Sequence, residues 1–311
     1  MKPIYSIVVP VMNEEPVLAE TYARLGAVMR ATGEPYEIIF IDDGSTDASA
    51  KIIAEIVKED ACVRLIGFSR NFGHQPAITA GMDYAEGDAA VIIDADLQDP
   101  PEIIPEMIKK WREGFEVVYG KRTERKGENF FKKTTANLFY RFLRSLTSVD
   151  IPVDAGDFRL IDRKVIEALN KINEKNRYMR GLVSWVGFRQ TYVEYSRDKR
   201  FAGETKYPLK KMVALAMNGV ASFSYKPLRL ATMTGAALSL LGFIYMIAVV
   251  FQKLFTDTTI QGWTSLIIIL LFTQGMVLIV LGLAGEYIGR IYDETKNRPI
   301  YIVADEIKNE D

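Results

Sequence analysis

Three carboxylates follow a hydrophobic run in the segment VIIDADLQDP, which extends from Val91 to Pro100. Asp94 and Asp96 are two residues apart, so their side chains point to the same side if the strand continues through them. Mg²⁺ and Mn²⁺ prefer oxygen ligands and commonly bind one or two carboxylates together with phosphate oxygens. The pair therefore indicates a metal-assisted phosphate site, although a D-x-D pattern also occurs in acidic loops and helix caps.

Further acidic residues follow other hydrophobic runs and strengthen this interpretation. Asp42 and Asp47 belong to the segment IDDGSTD, and Glu14 follows the run SIVVPV. Asp47 is placed to cap the helix predicted after it, which is the common role of such a residue. Asp42 and Glu14 have no comparable capping role, whereas Asp99, directly before Pro100, is predicted to begin the next helix.

Short β-branched runs alternate with amphipathic helical segments through the first half of the chain. The predicted strands are YSIVVPV, EIIFIDD, VRLIGFS, AAVIIDAD and EVVYGKR, and the predicted helices span 17–31, 48–58, 75–84 and 102–113. Runs such as IIFI are apolar on both faces, which predicts a doubly wound α/β fold with a covered, mainly parallel sheet. Ligands of such sheets bind at the carboxyl ends of the strands, where the acidic groups lie. The segment DIPVDAGDFRLIDRKV is predicted to be a polar turn before a helix over 164–172.

The composition excludes several classes of site. The chain has 39 Lys and Arg against 40 Asp and Glu, a net charge of -1 that gives no support for nucleic-acid binding. One cysteine, Cys62, and one histidine, His74, exclude an intrachain disulfide and a Cys/His zinc cluster. The chain has no G-x-S-x-G nucleophile elbow whose serine His74 could activate. His74 is therefore predicted to be a loop or packing histidine. Cys62 is predicted to be a buried strand residue. A dinucleotide oxidoreductase is disfavoured because no G-x-G-x-x-G follows the first strand.

Two long uncharged runs lie near the carboxyl end, at 230–250 and 258–285. Each is long enough to cross a bilayer as a helix. Together they predict a pair of membrane spans, and a buried helical hairpin in a soluble protein is the alternative. The predicted segments are a transmembrane helix over 230–252, an external loop over 253–263 and a second transmembrane helix over 264–288.

Basic residues flank this pair of predicted spans on both sides. They are Lys226, Arg229, Arg290, Lys296 and Arg298. By the positive-inside rule, both flanks face the cytoplasm, so we predict a multi-pass protein of the cell membrane with a cytoplasmic α/β domain. A basic amphipathic juxtamembrane helix over 207–229 suits an anionic bilayer surface, and a cytoplasmic tail over 289–311 follows the spans.

Four segments act as successive signatures along the chain: SIVVPVMNEE, IIFIDDGSTD, SRNFGHQPAITAGMDYAEGDAAVIIDADLQDPPE and VVYGKR. Together they resemble the motifs of family 2 glycosyltransferases, which implies a GT-A nucleotide-sugar-binding domain over 1–206. The segments DAGDFRL and RFAGETKY and the two predicted spans resemble the polyprenyl-phosphate glycosyltransferases within that family. These include dolichyl-phosphate mannose synthase and the bacterial undecaprenyl-phosphate glucosyltransferases.

The resemblance implies roles for individual residues. Those implied to bind the nucleotide-sugar donor are Pro10, Met12, Glu14, Asp42, Asp94, Ala95, Arg122, Arg200 and Lys206. Asp96 and Gln98 are implied to hold Mg²⁺ or Mn²⁺. Asp157 matches the position of the catalytic base, with Asp154 as its neighbouring competitor. A phosphate monoester is already largely ionised near neutral pH, its second pKa being about 6, so orienting the acceptor is the alternative role for Asp157.

The reaction that the resemblance implies is inverting, metal-dependent transfer of glucose from UDP-glucose to a polyprenyl phosphate, namely undecaprenyl phosphate, at the cytoplasmic membrane face. UDP-N-acetylglucosamine and GDP-mannose are the alternative donors. A processive polysaccharide synthase is disfavoured because the chain lacks Q-x-x-R-W. A membrane-anchored nucleotide-binding protein without turnover is the remaining alternative. Small residues in GAALSLLG and GLAGEYIG suit helix packing and leave a homo-oligomer open.

Overall fold

A computed structural model describes residues 2–122, 155–196, 226–255 and 262–309. The strands within these ranges are β1 (Tyr5–Val11), β2 (Tyr36–Asp42), β3 (Val63–Phe68), β4 (Ala89–Ile92), β5 (Val117–Arg122), β6 (Ala155–Asp162), β7 (Gln190–Tyr195) and β8 (Val303–Lys308). The helices are α1 (Leu18–Thr32), α2 (Ser49–Glu59), α3 (His74–Tyr84), α4 (Ile104–Arg112), α5 (Arg163–Asn170), α6 (Met179–Trp185), α7 (Lys226–Phe255) and α8 (Trp263–Thr295). A short 3-10 helix, Pro101–Ile103, precedes α4.

The described strands form one sheet in the order β7-β5-β6-β4-β1-β2-β3-β8. Strands β4, β1, β2 and β3 run parallel to one another, and β5 is parallel to β7. Strand β6 is antiparallel to both of its neighbours, and β8 is antiparallel to β3. The predicted α/β fold with a mainly parallel sheet is therefore confirmed.

Helices cover both faces of the sheet, which explains why the central strands are apolar throughout. All seven residues of β1 are buried. Apolar side chains of α1, α2 and α4 pack on one face, and those of α3, α5 and α6 pack on the other. Helix α3 approaches β1 so closely that a Cβ on Gly81 would lie 2.0 Å from Cγ1 of Val8. This approach requires glycine and brings the start of α3 towards the carboxyl end of β1.

Two predictions about local structure are wrong. The segment AGDFRLID, predicted to be part of a polar turn, forms the internal strand β6. Its polar residues are tolerated there because Arg159, which is 5% exposed, donates hydrogen bonds to the carbonyl oxygens of Gly156 (2.8 Å) and Asp157 (3.3 Å). Cys62 is not a buried strand residue, since it lies partly exposed in the turn before β3.

The two apolar runs near the carboxyl end form the long helices α7 and α8, which contact each other. Among the described residues, the segment that is long and apolar enough to cross a membrane is Phe272–Thr295, with 24 residues and a mean hydropathy of 1.4. The apolar part of α7, Ala231–Tyr245, is shorter. Of the predicted juxtamembrane helix, residues 207–225 lie outside the described ranges, as do 256–261 of the predicted external loop.

The chain returns to the sheet after α8. Strand β8 pairs with β3, and the Tyr301 ring stacks on Phe68 with 5.1 Å between ring centroids. The Tyr301 hydroxyl also donates to the Asp83 carboxylate at 2.8 Å. Nearer the helix, the backbone N–H of Lys175 donates to Glu294 at 2.7 Å. Residues 301–308 of the predicted tail therefore pack on the α/β domain, whereas 289–295 belong to α8.

Candidate active site

The loops after β1 and β2 bind each other at the carboxyl edge of the sheet. Asn13, with a left-handed φ of 55°, accepts a hydrogen bond from the backbone N–H of Thr46 at 2.8 Å and donates its own N–H to the Ser45 hydroxyl at 3.0 Å. The backbone N–H of Glu14 donates to the Ser49 hydroxyl at 3.0 Å. These bonds hold Glu14 beside the start of α2, in the connection that follows β2.

The first predicted donor-binding residues lie along these two strand ends. Pro10 is buried within β1, and Met12 and Glu14 follow that strand with partly exposed side chains. Asp42 ends β2 and is 6% exposed, and its carboxylate accepts from the backbone N–H of Ser45 at 3.2 Å. Asp47 lies one residue before the N-cap, Ala48, and accepts from the N–H of Ser49, the first residue of α2, at 3.0 Å.

Asp43 positions the start of α3. Its carboxylate accepts from the backbone N–H groups of Phe72 at 2.7 Å and Gly73 at 2.9 Å. Gly73 has a φ of 109°, a conformation that glycine adopts without steric cost, and His74 follows as the first residue of α3. Asp43 therefore anchors the turn that presents His74 to the carboxyl edge.

The end of β4 carries four predicted site residues on one turn. Asp94 and Ala95 follow the strand, and the Ala95 carbonyl accepts a hydrogen bond from the Thr21 hydroxyl at 2.8 Å. Leu97 has a φ of 56°, and the Asp96 carboxylate accepts from the backbone N–H of Gln98 at 3.2 Å. The turn thus places Asp94, Asp96 and Gln98 together, each with a partly exposed side chain.

In the antiparallel pair of β4 and β6, Ile92 lies beside Arg159. Two residues further towards the carboxyl edge of the sheet, Asp94 and Asp157 therefore lie opposite each other. Between the two carboxylates stands His74, whose Nε2 is 3.5 Å from Oδ1 of Asp94 and 3.4 Å from Oδ2 of Asp157. The interpretation of His74 as a loop or packing residue is therefore wrong. No local pattern could have revealed this contact, since it depends on the packing of α3.

The protonation preferences of this group follow from its contacts. Burial opposes protonation of the imidazole, but Asp94 and Asp157 outweigh it, so the pKa of His74 rises to about 9. Burial raises the pKa of Asp94 to about 6, with His74 opposing the rise. Oδ1 of Asp94 is buried and accepts no hydrogen bond from the described residues, although the side chain as a whole is 34% exposed.

Asp157 behaves in the opposite way although it is buried. The guanidinium of Arg180 donates to both of its oxygens, from Nε at 2.9 Å and from Nη2 at 3.0 Å. Burial alone would raise its pKa, but Arg180 and His74 hold the pKa of Asp157 well below its usual range. Arg180 was not identified from the sequence, where a single arginine in the segment YMRGLV gives no signal.

Arg122 ends β5 next to β6, where Tyr195 and Asp99 hold it. Its Nε donates to the Tyr195 hydroxyl at 3.2 Å, and its Nη2 lies 3.5 Å from Oδ1 of Asp99. The Tyr195 hydroxyl donates to the same Asp99 oxygen. The prediction that Asp99 begins a helix is wrong, because Asp99 is 1% exposed and the 3-10 helix that starts at Pro101 has no side-chain cap.

The structure thus gathers nearly all the predicted residues at one edge of the sheet, while Arg200, Lys206 and Asp154 lie outside the described ranges. Within those ranges, no group of three or more His, Cys, Asp or Glu side chains has a metal-binding arrangement. The oxygen donors after β4 nevertheless fit a hard divalent cation, because Asp96 and Gln98 share a turn with Asp94, whose buried Oδ1 accepts no hydrogen bond from the described residues and lies 3.5 Å from Nε2 of His74.

Comparison with known proteins places this edge in context. Residues 6–169 match the protein family described as "Glycosyl transferase family 2", and residues 226–291 match the family described as "GtrB C-terminal hairpin". The "Uncharacterized glycosyltransferase YkcC" of Bacillus subtilis is 63% identical over 96% of this chain and 93% of that protein. The "Bactoprenol glucosyl transferase" of Shigella phage SfII is 41% identical over 96% of each chain.

Among solved structures, glucosyl-3-phosphoglycerate synthase of Mycobacterium tuberculosis, in complex with Mn²⁺, UDP-glucose and phosphoglyceric acid, is 19% identical with a TM-score of 0.46. The likeness covers 71% of this chain and 78% of that one. The family match alone spans more than half of the 311 residues, and it includes the β1, β2 and β4 ends described above. The chain therefore belongs to glycosyl transferase family 2 and is a glycosyltransferase with a GT-A-like α/β fold.

Proposed function

We propose that this enzyme transfers glucose from UDP-glucose to a polyprenyl phosphate, undecaprenyl phosphate, at the cytoplasmic face of the cell membrane, with inversion at the anomeric carbon. The observation that carries the proposal is the 41% identity, over 96% of both chains, with a relative named for bactoprenol glucosyl transfer. The match to the hairpin description over residues 226–291 supports a membrane acceptor.

The proposed step is one displacement. An oxygen of the lipid phosphate attacks C1 of glucose, and the bond from C1 to the β-phosphate oxygen of UDP breaks with its electron pair leaving on UDP. The attacking phosphate is largely a dianion near neutral pH, so the step needs no proton acceptor. The residues of the carboxyl edge would hold the two reactants in line, and such positioning can lower the barrier by several kcal/mol.

Individual residues have distinct proposed tasks. Pro10, Met12, Glu14 and Asp42 would line the nucleotide, and Asp94 with Ala95 would contact ribose or sugar. Arg122, fixed by Asp99 and Tyr195, would meet phosphate, as would Arg200 and Lys206. Asp96 and Gln98 would hold Mg²⁺ or Mn²⁺, which supplies positive charge to the diphosphate as it leaves.

The return of the chain to the sheet supports two membrane crossings. Strand β8 follows α8 and pairs with β3 of the same sheet that precedes α7. A single crossing between them would place β8 on the opposite side of the bilayer from its partner strand. If α8 crosses the membrane, α7 must cross it in the opposite direction. The carboxyl end of α8 and the sheet then lie on the same side.

Purified enzyme in vesicles with undecaprenyl phosphate should be incubated with UDP-glucose, UDP-N-acetylglucosamine and GDP-mannose, each labelled in the sugar. We expect label from UDP-glucose in the lipid fraction, and less from the others. Transfer only from another donor would correct the sugar, and absence of lipid label from all three would overturn the proposed function.

An Asp96→Asn variant tests the proposed metal site in the same assay. It should lose transfer, because the amide lacks the negative charge that a divalent cation requires. Asp88→Asn is the matched control, since Asp88 lies at the amino end of β4 in an exposed pair with Lys2 at 2.7 Å. Equal activity of Asp96→Asn and the parent would remove the metal proposal.

A further inference from the structure

Arg180, Asp157 and His74 are charged groups of the carboxyl edge to which the proposed reaction gives no task. Arg180 is the residue of this group that anchors the other two. It lies in α6, outside the matched family region that ends at residue 169. Its guanidinium binds the Asp157 carboxylate in the two-pronged manner that fixes the direction of both groups. Asp157 is 9% exposed in this pair and Arg180 is 30% exposed.

The pair continues into the rest of the site through His74. Oδ2 of Asp157 accepts a hydrogen bond from Nη2 of Arg180 and lies 3.4 Å from Nε2 of His74. The same Nε2 lies 3.5 Å from Oδ1 of Asp94. The backbone on either side of the Asp157 side chain is held as well, since Arg159 donates to the carbonyls of Gly156 and Asp157. A chain of alternating charges therefore runs from α6 through β6 and α3 to the end of β4.

We propose that Arg180 is a positioning residue for sugar transfer: it holds Asp157 and, through Asp157, sets His74 beside Asp94, and Asp157 accepts no proton during the reaction. The inference rests on the proposed transfer to a lipid phosphate. Both Asp157 oxygens are engaged by cations, and an ionised phosphate acceptor brings no proton that must be removed. The low pKa of Asp157 agrees with this role, because a carboxylate held so firmly ionised is a poor base.

A double-mutant cycle with Arg180→Gln, Asp157→Asn and the combined variant tests the pair. Each single change should lower kcat by about 10²-fold, the usual effect of misplacing a reactive group. The combined variant should lose no more than the larger single loss, because the two side chains act as one unit. Arg189→Gln is the control, since Arg189 is exposed after α6 and lies over the Phe115 ring.

Two further readouts separate positioning from a general loss of structure. Arg180→Lys keeps the charge but not the two-pronged geometry, so it should recover only part of kcat. In Arg180→Gln the pKa of Asp157 should rise, because the guanidinium that lowers it is removed, and NMR titration of the labelled carboxyl carbon measures that rise directly. An unchanged pKa of Asp157 in this variant would contradict the contact.

Parental kcat in Arg180→Gln, or multiplicative losses in the combined variant, would overturn the inference. Failure of the proposed function is a separate outcome, in which the parent itself labels no lipid. The denaturant midpoints of the four proteins then test the pair alone, because non-additive shifts support it and additive shifts contradict it.

Discussion

Two charged clusters lie at opposite ends of the same parallel strands and differ in how their buried carboxylates are held. The amino-end cluster comprises Ser6, Glu37, Arg64, Glu86 and Glu306. The carboxyl-end cluster comprises His74, Asp94, Asp157 and Arg180. Both contain buried carboxylates facing cations, so their chemistry alone does not distinguish them.

The amino-end cluster is built around Glu37, which is 6% exposed and has both carboxylate oxygens engaged. One of its oxygens accepts from the Ser6 hydroxyl at 2.6 Å and from the backbone N–H of Glu86 at 2.8 Å, and the other faces Arg64 at 3.2 Å. Arg64 also binds Glu306 at 3.2 Å and thereby ties β8 to β3. These contacts fix the starts of the strands, which is a structural task.

In the carboxyl-end cluster, two cations face two carboxylates, but one carboxylate oxygen accepts no hydrogen bond. Oδ1 of Asp94 is buried without a hydrogen bond, and the pKa of that carboxyl is raised to about 6. The side chains of His74 and Asp94 remain 32% and 34% exposed, so a ligand can reach them. Glu37, closed in by hydrogen bonds, marks the supporting end of this sheet, whereas Asp94, partly exposed and with a raised pKa, marks the end where a ligand is expected.

The largest expected effect is the loss of activity in Asp94→Asn. Transfer should fall by about 10²- to 10³-fold, the effect of removing one electrostatic contact that matters in the transition state. The melting temperature should stay the same or rise, because the substitution removes a carboxylate whose ionised form is disfavoured by burial. A variant that keeps its activity and loses stability would give Asp94 the structural task assigned to the opposite cluster.

The reverse result is expected for Glu37→Gln at the amino end. One oxygen acceptor is replaced by a donor, so the variant should lose about 1–3 kcal/mol of unfolding free energy. Denaturant titration measures that loss, and transfer per folded molecule should remain parental. Reduced kcat in fully folded Glu37→Gln would show that the two clusters are coupled.

The pH dependence of His74→Gln gives a smaller effect. In the parent, transfer should fall as the pH decreases through about 6, where the Asp94 carboxylate becomes protonated. The His74 cation lowers the pKa of Asp94, so its removal should move this loss to higher pH. The acceptor phosphate also titrates near pH 6 but is common to both proteins. Superimposable profiles would contradict the contact between His74 and Asp94.

The smallest effect is expected for Glu306→Gln. Glu306 is partly exposed in its pair with Arg64, and such surface pairs contribute about 0.2–1 kcal/mol. The free energy of unfolding should fall within that range, and the kcat for transfer should stay unchanged. A large loss of transfer without unfolding would give β8 a direct part in the site.

The sequence predicted the strands whose tips build the edge, because β1, β2 and β4 are apolar on both faces and end in polar residues. It did not predict β6, since Asp157 and Arg159 interrupt the apolar pattern and become acceptable only through contacts made in the folded sheet. The edge strands β7 and β8 have mixed polarity, as the buried and exposed positions in QTYVEY show, and gave no clear signal.

The site divides in a similar way. Asp94 and Asp96 were identified because they follow the end of a predicted strand, and Asp157 was identified through the family resemblance. His74 and Arg180 reach the same place from α3 and α6, so only the packing of those helices on the sheet reveals them. Asp99 shows the converse, because its position before a proline suggested a helix start, whereas the fold buries it against Tyr195 and Arg122.

The central claim is that the lipid phosphate attacks the sugar directly at the carboxyl edge, without a protein nucleophile or a proton acceptor. The most direct test is the anomeric configuration of the lipid-linked glucose formed from α-linked UDP-glucose, measured by NMR coupling at C1. A β-linked product is predicted. An α-linked product would contradict the single displacement and would require a two-step reaction through the protein.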